Sequence, residues 1–149
     1  MQKEMLLDMI KQNQLTCSFS FNKLTAENAG WRLNAQAASA GFIYRHIGET
    51  INLFGTFFGL PTDVKNTTMG QTDTGQGSDI SASRILVEQG FEMLKKYVEE
   101  TEDSAWLDPI QTPFFGTVSR VRLFSHILFH NSHHAGQIAL TLSKGKIEG

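Results

Sequence analysis

Cysteine is almost absent from this chain. Cys17 stands alone, so no disulfide can form within it, and a reducing, cytoplasmic setting is expected. Proline is scarce as well. Pro61, Pro109 and Pro113 all fall outside the strongly periodic stretches, which favours helices over a β-sandwich with a turn about every ten residues. Basic runs are missing: no Lys/Arg run exceeds two residues, and 13 basic against 15 acidic residues leave a formal charge of −2. The electrostatic footprint of a nucleic-acid or anionic-membrane partner is therefore lacking, and neither is expected. No uncharged stretch reaches the ~20 apolar residues of a membrane span. The opening "MQKEMLLDMIKQ" carries Glu4 and Asp8 inside its apolar segment, unlike a secretory leader. These absences lead to the expectation of a single soluble domain over residues 1–149, long enough to build a core from its 40% hydrophobic residues.

What is present reads as an all-α fold. Apolar steps of three and four through Leu7, Ile10, Gln14, Cys17, Phe21 and Leu24 predict a first helix over about residues 3–25, outweighing the short strand-like alternation in "TCSFSFN". A second helix is predicted from the Asn34 cap to about Gly59-Leu60-Pro61, with Ser39, Ile43, His46, Thr50, Leu53 and Phe57 facing inward. A third starts at Ser78 or Asp79 and runs through "ILVEQGFEMLKKYVEE". A fourth runs from about Thr117 to Ser143, with Lys144 near its negative end and Gly145 suited to the left-handed position beyond it. The linker "TDVKNTTMGQTDTGQG" has no periodicity, and its length allows a connection spanning the whole height of a bundle. The "WLDPIQTPFFG" linker carries large apolar residues and is expected to pack down.

The histidines carry the chemistry. "LFHNSHHAGQIALTL" holds three of the five within five positions, and His126 stands just upstream. At ~100° per residue, His130 and His134 lie one turn apart at the edge of the arc formed by Leu123, Phe124, Ile127, Ile138 and Leu142. His126 and His133 fall toward the polar side and are assigned to the rim. On the second helix His46 sits within the apolar stripe, where an unpartnered imidazole costs about 1–3 kcal/mol. A lone buried histidine usually pairs internally. Three inward histidines on two helices can instead supply three nitrogens to one Zn²⁺ or Ni²⁺ and leave a position open. H-x₃-H alone is a loose pattern, so spacing leaves both readings standing.

"YRHIGET" together with "LFHNSHHAGQI" resembles the DinB-like (damage-inducible) metal-binding four-helix bundle family, and "LTAENAGWRL" is similar to the segment leading into that family's second helix. The resemblance covers most of the chain. It implies an up-down-down-up bundle with a long crossover between helices two and three, and a divalent metal held by His46, His130 and His134. It further implies a homodimer, and a small-molecule substrate handled with a low-molecular-weight thiol, because transferases and isomerases using mycothiol, bacillithiol or glutathione share the fold. Ala135 stands where the family usually has arginine. A thiol S-transferase or hydrolase is the leading expectation, and a non-catalytic metal-binding or stress-response protein the alternative; fold alone does not choose between them.

Among lesser candidates, Glu49 could orient an imidazole or act as a general base, against the ordinary reading of a solvated helix glutamate. Gln137 could close the edge of the site or merely make a helix contact. Cys17 is expected to be a small buried hydrophobe. Gly136 is expected to admit a neighbouring helix, "GQGSDIS" to be a flexible linker, and the phenylalanines of "INLFGTFFG" to be core or dimer surface.

Overall fold

The computed structural model describes residues 1–146. Four helices make the bundle: α1 (Gln2–Phe21), α2 (Ala40–Gly55), α3 (Ile80–Glu100) and α4 (Arg120–Lys144). Contacts at one end fix their directions. After α1 and α4 the chain pairs with itself, Arg32 and Lys146 exchanging backbone hydrogen bonds at 3.0 Å, so these two helices run parallel. Gly41 at the start of α2 donates to the Ala29 carbonyl just after α1, and Gly77, just before α3, packs against Gly41. Both α2 and α3 therefore start where α1 and α4 end. The topology is up-down-down-up, with the chain crossing the full height of the bundle between α2 and α3.

Local chemistry corrects several boundaries. The Asn34 side chain accepts from the N–H groups of Gln36 and Ala37 and closes a turn; Ser39 caps α2 by accepting from Phe42. The second helix thus starts later than expected and gives way to a 3₁₀ turn at Thr56–Phe58. Asp79 caps α3 through the Ala82 N–H, as read from the sequence. Ser119, not Thr117, caps α4, because Thr117 belongs to a hairpin formed by β1 (Pro109–Thr112) and β2 (Gly116–Ser119). That hairpin is the departure from a purely helical fold, and it is small. Trp106 packs down beside it, edge-on to Tyr97 and Phe124, each at 5.6 Å, while the tip residues Phe114 and Phe115 stay exposed. Gly145 is extended, not left-handed; a Cβ there would lie 2.5 Å from the Thr141 carbonyl oxygen.

The core gathers around α2, which is buried on almost every side through Ile43, Tyr44, Ile47, Ile51 and Phe54. Leu6, Ile10, Cys17 and Phe21 of α1 close one flank, with Asn13 rather than Gln14 on the seam. Asn13 earns its burial by donating to the Leu128 carbonyl and Ser132 hydroxyl and accepting from Asn131. The crossover is tied down, not flexible. Asp73 accepts from the Ser39 and Gly75 N–H groups and pairs with Arg32 at 3.0 Å, and a Cβ on Gly41 would sit 2.3 Å from the Gly77 carbonyl oxygen. Among the described residues no helix is long and apolar enough to cross a membrane.

Candidate metal centre

α2 and α4 run antiparallel beside one another, which brings the second turn of α2 to the middle of α4. His46, His130 and His134 meet there, all half-buried, each offering one ligand atom within 4.8 Å of the others. Nε2 of His46 and Nε2 of His130 are 3.0 Å apart, and the His134 ring is edge-on to both neighbours at centroid distances of 4.8 and 4.4 Å.

Glu49 determines how His46 presents itself. Its carboxylate is fully buried and accepts from Arg45 Nε (2.7 Å), the Thr67 N–H (2.8 Å), the Thr67 hydroxyl (2.6 Å) and the Thr68 hydroxyl (2.8 Å). Burial alone would raise its pKa, but the donors from Thr67, Thr68 and Arg45 outweigh burial and hold it below the usual value. An ionised carboxylate only accepts. The Thr68 proton therefore points at Glu49, leaving Thr68 Oγ1 as acceptor toward His46 Nδ1 at 3.2 Å. His46 must carry its proton on Nδ1 and show a lone pair at Nε2. Gln137 does the same for His134: its Oε1 accepts from Nδ1 at 2.6 Å, so Nε2 is the nitrogen left to ligate.

Burial keeps the rings neutral. It pushes His46 down to about 4, aided by the neighbouring His134 and opposed by Glu49. It pushes His130 down to about 3, with the other histidines adding to the effect, and lowers His134 as well. Neutral imidazoles are the form that binds metal.

The donor set fits a divalent ion. Three imidazoles suit zinc or nickel, and a tetrahedral zinc site with ~2.0–2.1 Å bonds places its nitrogens about 3.3–3.4 Å apart, which small ring adjustments from the present spacing reach. His130 differs from the other two: its Nδ1 is buried with no hydrogen-bond partner among the described residues, so nothing in the chain holds its tautomer. With a lone pair toward the centre and a proton on Nδ1, Nε2 faces His46 without needing to donate to it.

The other residues singled out from the sequence lie around this triad. His126 is half-buried rather than on a polar rim: it stacks on Phe54 at 5.6 Å, meets Phe115 edge-on at 4.6 Å, and has its pKa lowered by burial. His133 is exposed. Gln137 lines the edge of a cavity of about 420 Å³ into which His46 and His134 open. Gly136 faces open space, so no helix approaches it. Cys17 lies on α1, buried, and burial pushes its thiol up to about 11. Thr67 and Thr68 carried no motif signal. Their one trace in sequence is a pair of hydroxyls within a long aperiodic loop, opposite a glutamate in an otherwise apolar stretch.

The second and fourth helices of the bundle bring three histidines together as a candidate metal site, and comparison with known proteins gives the family. The DinB superfamily model matches residues 12–138, and the chain belongs to that family. Among solved structures it is similar to a DinB-like protein from Bacillus cereus ATCC 10987, at 17% identity and a TM-score of 0.72, covering 98% of this chain and 95% of that one. It is also similar to a conserved protein from Enterococcus faecalis, at 11% identity and a TM-score of 0.66, covering 93% of each chain. No curated protein matches the chain.

Proposed function

We propose that the protein is a metal-dependent enzyme of thiol S-transferase or hydrolase type acting on a small molecule, with one zinc or nickel ion held by His46, His130 and His134. The observation that carries this reading is the convergence of three neutral imidazoles, two of which, His46 and His134, line a solvent-connected cavity. A divalent ion held there supplies Lewis acidity, drawing down the pKa of a thiol or water placed beside it.

The chain's own residues do the rest. Glu49 and Thr68 hold His46 in one tautomer, and Gln137 holds His134. Glu49 is a positioning residue, since both its oxygens already accept hydrogen bonds and it does not line the cavity. The Gln137 amide nitrogen is free to donate to a substrate oxygen. In S-transfer a low-molecular-weight thiol loses its proton to solvent and its sulfur forms a C–S bond on an electrophilic carbon. The leaving group departs with the electron pair. In the hydrolase variant, water replaces the thiol.

A homodimer belongs to the same reading, with the exposed Met9 of α1 and Phe129 of α4, which flank a groove between those helices, turned toward a second copy. Metal analysis of zinc- and nickel-loaded protein, followed by thiol consumption against an electrophile in wild type and His46→Ala, is the deciding experiment. Metal retained without turnover across a thiol panel would favour a non-catalytic metal-binding protein instead.

A further inference from the structure

The wall of the cavity beside the triad has a composition that limits what it can hold. At about 420 Å³ it lies within the range of small-molecule sites. Leu33, Ala37 and Ala38 of the α1–α2 connection, Phe42 and Ile43 of the first turn of α2, and Leu140 of α4 form most of the wall. Among the described residues, not one lysine, arginine, aspartate or glutamate lines it. Arg32 adjoins Leu33 and lies behind the wall, its charge already matched by Asp73 at 3.0 Å and one N–H given to the Ala37 carbonyl at 2.7 Å. An anionic group entering this wall would lose its hydration and find no counter-charge.

The polar groups that can meet a ligand gather at one level, while Thr141, beside Leu140, donates its hydroxyl to the Gln137 carbonyl and Thr68 donates its own to Glu49. His46 lies one turn beyond Phe42 on α2, and His134 and Gln137 lie one to two turns before Leu140 on α4, so the antiparallel helices place them together. The apolar residues all sit nearer the end where α4 stops. At that end Leu33 and Leu140 remain 43% and 49% exposed although both are large and apolar. They stand at the opening, where an apolar ligand would cover them.

We infer that this cavity takes an uncharged alkyl or aryl chain, lying between Leu33 and Leu140 with a metal-binding head group at His46 and His134. The inference rests on the metal reading above and names the substrates that centre serves: small molecules with a neutral apolar tail, not ones whose tail ends in a carboxylate or phosphate.

Zinc-loaded protein is titrated calorimetrically with alkyl hydroxamates from acetyl to octanoyl, and with an octanoyl-length hydroxamate ending in a carboxylate. Affinity is expected to rise about fourfold per added methylene, and the carboxylate-ended probe to bind about tenfold more weakly than its uncharged counterpart. Leu140→Asp, at a half-exposed position, should abolish the gain in affinity with chain length. A flat series in wild type, or equal binding of the charged probe, overturns the inference. Failure of zinc to load, or of acetohydroxamate to bind, overturns the metal reading instead. Metal-free protein is then titrated with the neutral fluorophore N-phenyl-1-naphthylamine: binding reversed by octanol and weakened by Leu140→Asp supports the cavity's role, and no binding sinks it.

Discussion

Nε2 of His46 and Nε2 of His130 face each other across 3.0 Å. Thr68 and Glu49 fix a lone pair on the His46 atom, so the pair is relieved only by a proton on His130 or by a shared cation. A proton placed there leaves the buried Nδ1 of His130 as an acceptor without a donor. A cation satisfies both Nε2 atoms together and leaves the same Nδ1 as a donor without an acceptor, so the contest is between one imidazole hydrogen bond and two metal–nitrogen bonds.

Loss of one ligand should therefore empty the centre. His130→Ala or His134→Ala is expected to remove most bound metal, while His133→Ala, at an exposed position outside the triad, retains it. At a metal concentration one hundred times Kd, binding contributes about 2.7 kcal/mol, which for a chain of this size raises Tm by about 5–10 °C. Wild type and His133→Ala should show that rise and His134→Ala should not. Equal losses in all three variants would show that the wrong face of α4 has been assigned.

Thr68 contributes one hydroxyl that donates to Glu49 and accepts from His46. Thr68→Val keeps the shape and removes both bonds, freeing His46 to change tautomer. Metal affinity is expected to fall about 10–100-fold, with Thr68→Ser restoring it. A competition titration against a chelator of known affinity reads the difference. If the valine and serine variants bind alike, the hydroxyl has no positioning role.

How much of this was legible in the sequence follows from what each signal depends on. His46, His130 and His134 could be aimed at a common face because helical periodicity is local, and α2 and α4 are regular where the histidines lie. The long crossover was readable from its lack of periodicity. What holds it was not, because Thr68 meets His46 across 22 positions and Asp73 meets Ser39 across 34. The hairpin escaped notice since its two strands are four residues each and the Thr117–Val118 stretch reads equally well as the start of α4. Asn34 misled for a related reason: its side chain can cap a helix or close a turn, and only the later Ser39 cap decides between them.

Two glycines that look alike in sequence should respond in opposite directions. A Cβ at Gly41 would meet the Gly77 carbonyl oxygen at 2.3 Å and the Ala29 carbonyl oxygen at 2.9 Å, all backbone that cannot rotate away. Gly41→Ala is expected to cost about 2–3 kcal/mol, in the range of overpacked sites. Gly136 lies within α4 facing open space, so Gly136→Ala should stabilise by about 0.5–1 kcal/mol. Urea denaturation of the two variants gives both signs in one experiment.

Cys17 is fully buried, and its thiol is pushed up to about 11 by burial. Relative to an ordinary cysteine near 9, that shift alone lowers the thiolate fraction at neutral pH about 100-fold. Labelling by a disulfide reagent should be slower than in denaturant by at least that factor. Rapid labelling of the folded protein would mean that α1 opens readily from the bundle.

Asp73 gives the fold an acid limit whose sign is set by its surroundings. Burial raises its pKa, but the Ser39 and Gly75 donors and the Arg32 charge outweigh burial and hold the carboxyl below its ordinary value. The unfolded chain, with an aspartate near 3.9, therefore binds this proton at a higher pH than the folded chain does. The stabilisation is fully present above the unfolded value and disappears as pH falls through the lower folded one. Asp73→Asn removes the charge while keeping the size, and is expected to cost about 2 kcal/mol at pH 7, the scale of hydrogen bonds to a charged group. Denaturation midpoints for wild type and variant should differ by a constant amount from pH 7 down to about 5 and converge below about 4. A gap that persists unchanged to pH 2 would mean that Asp73 holds the crossover by shape and not by charge.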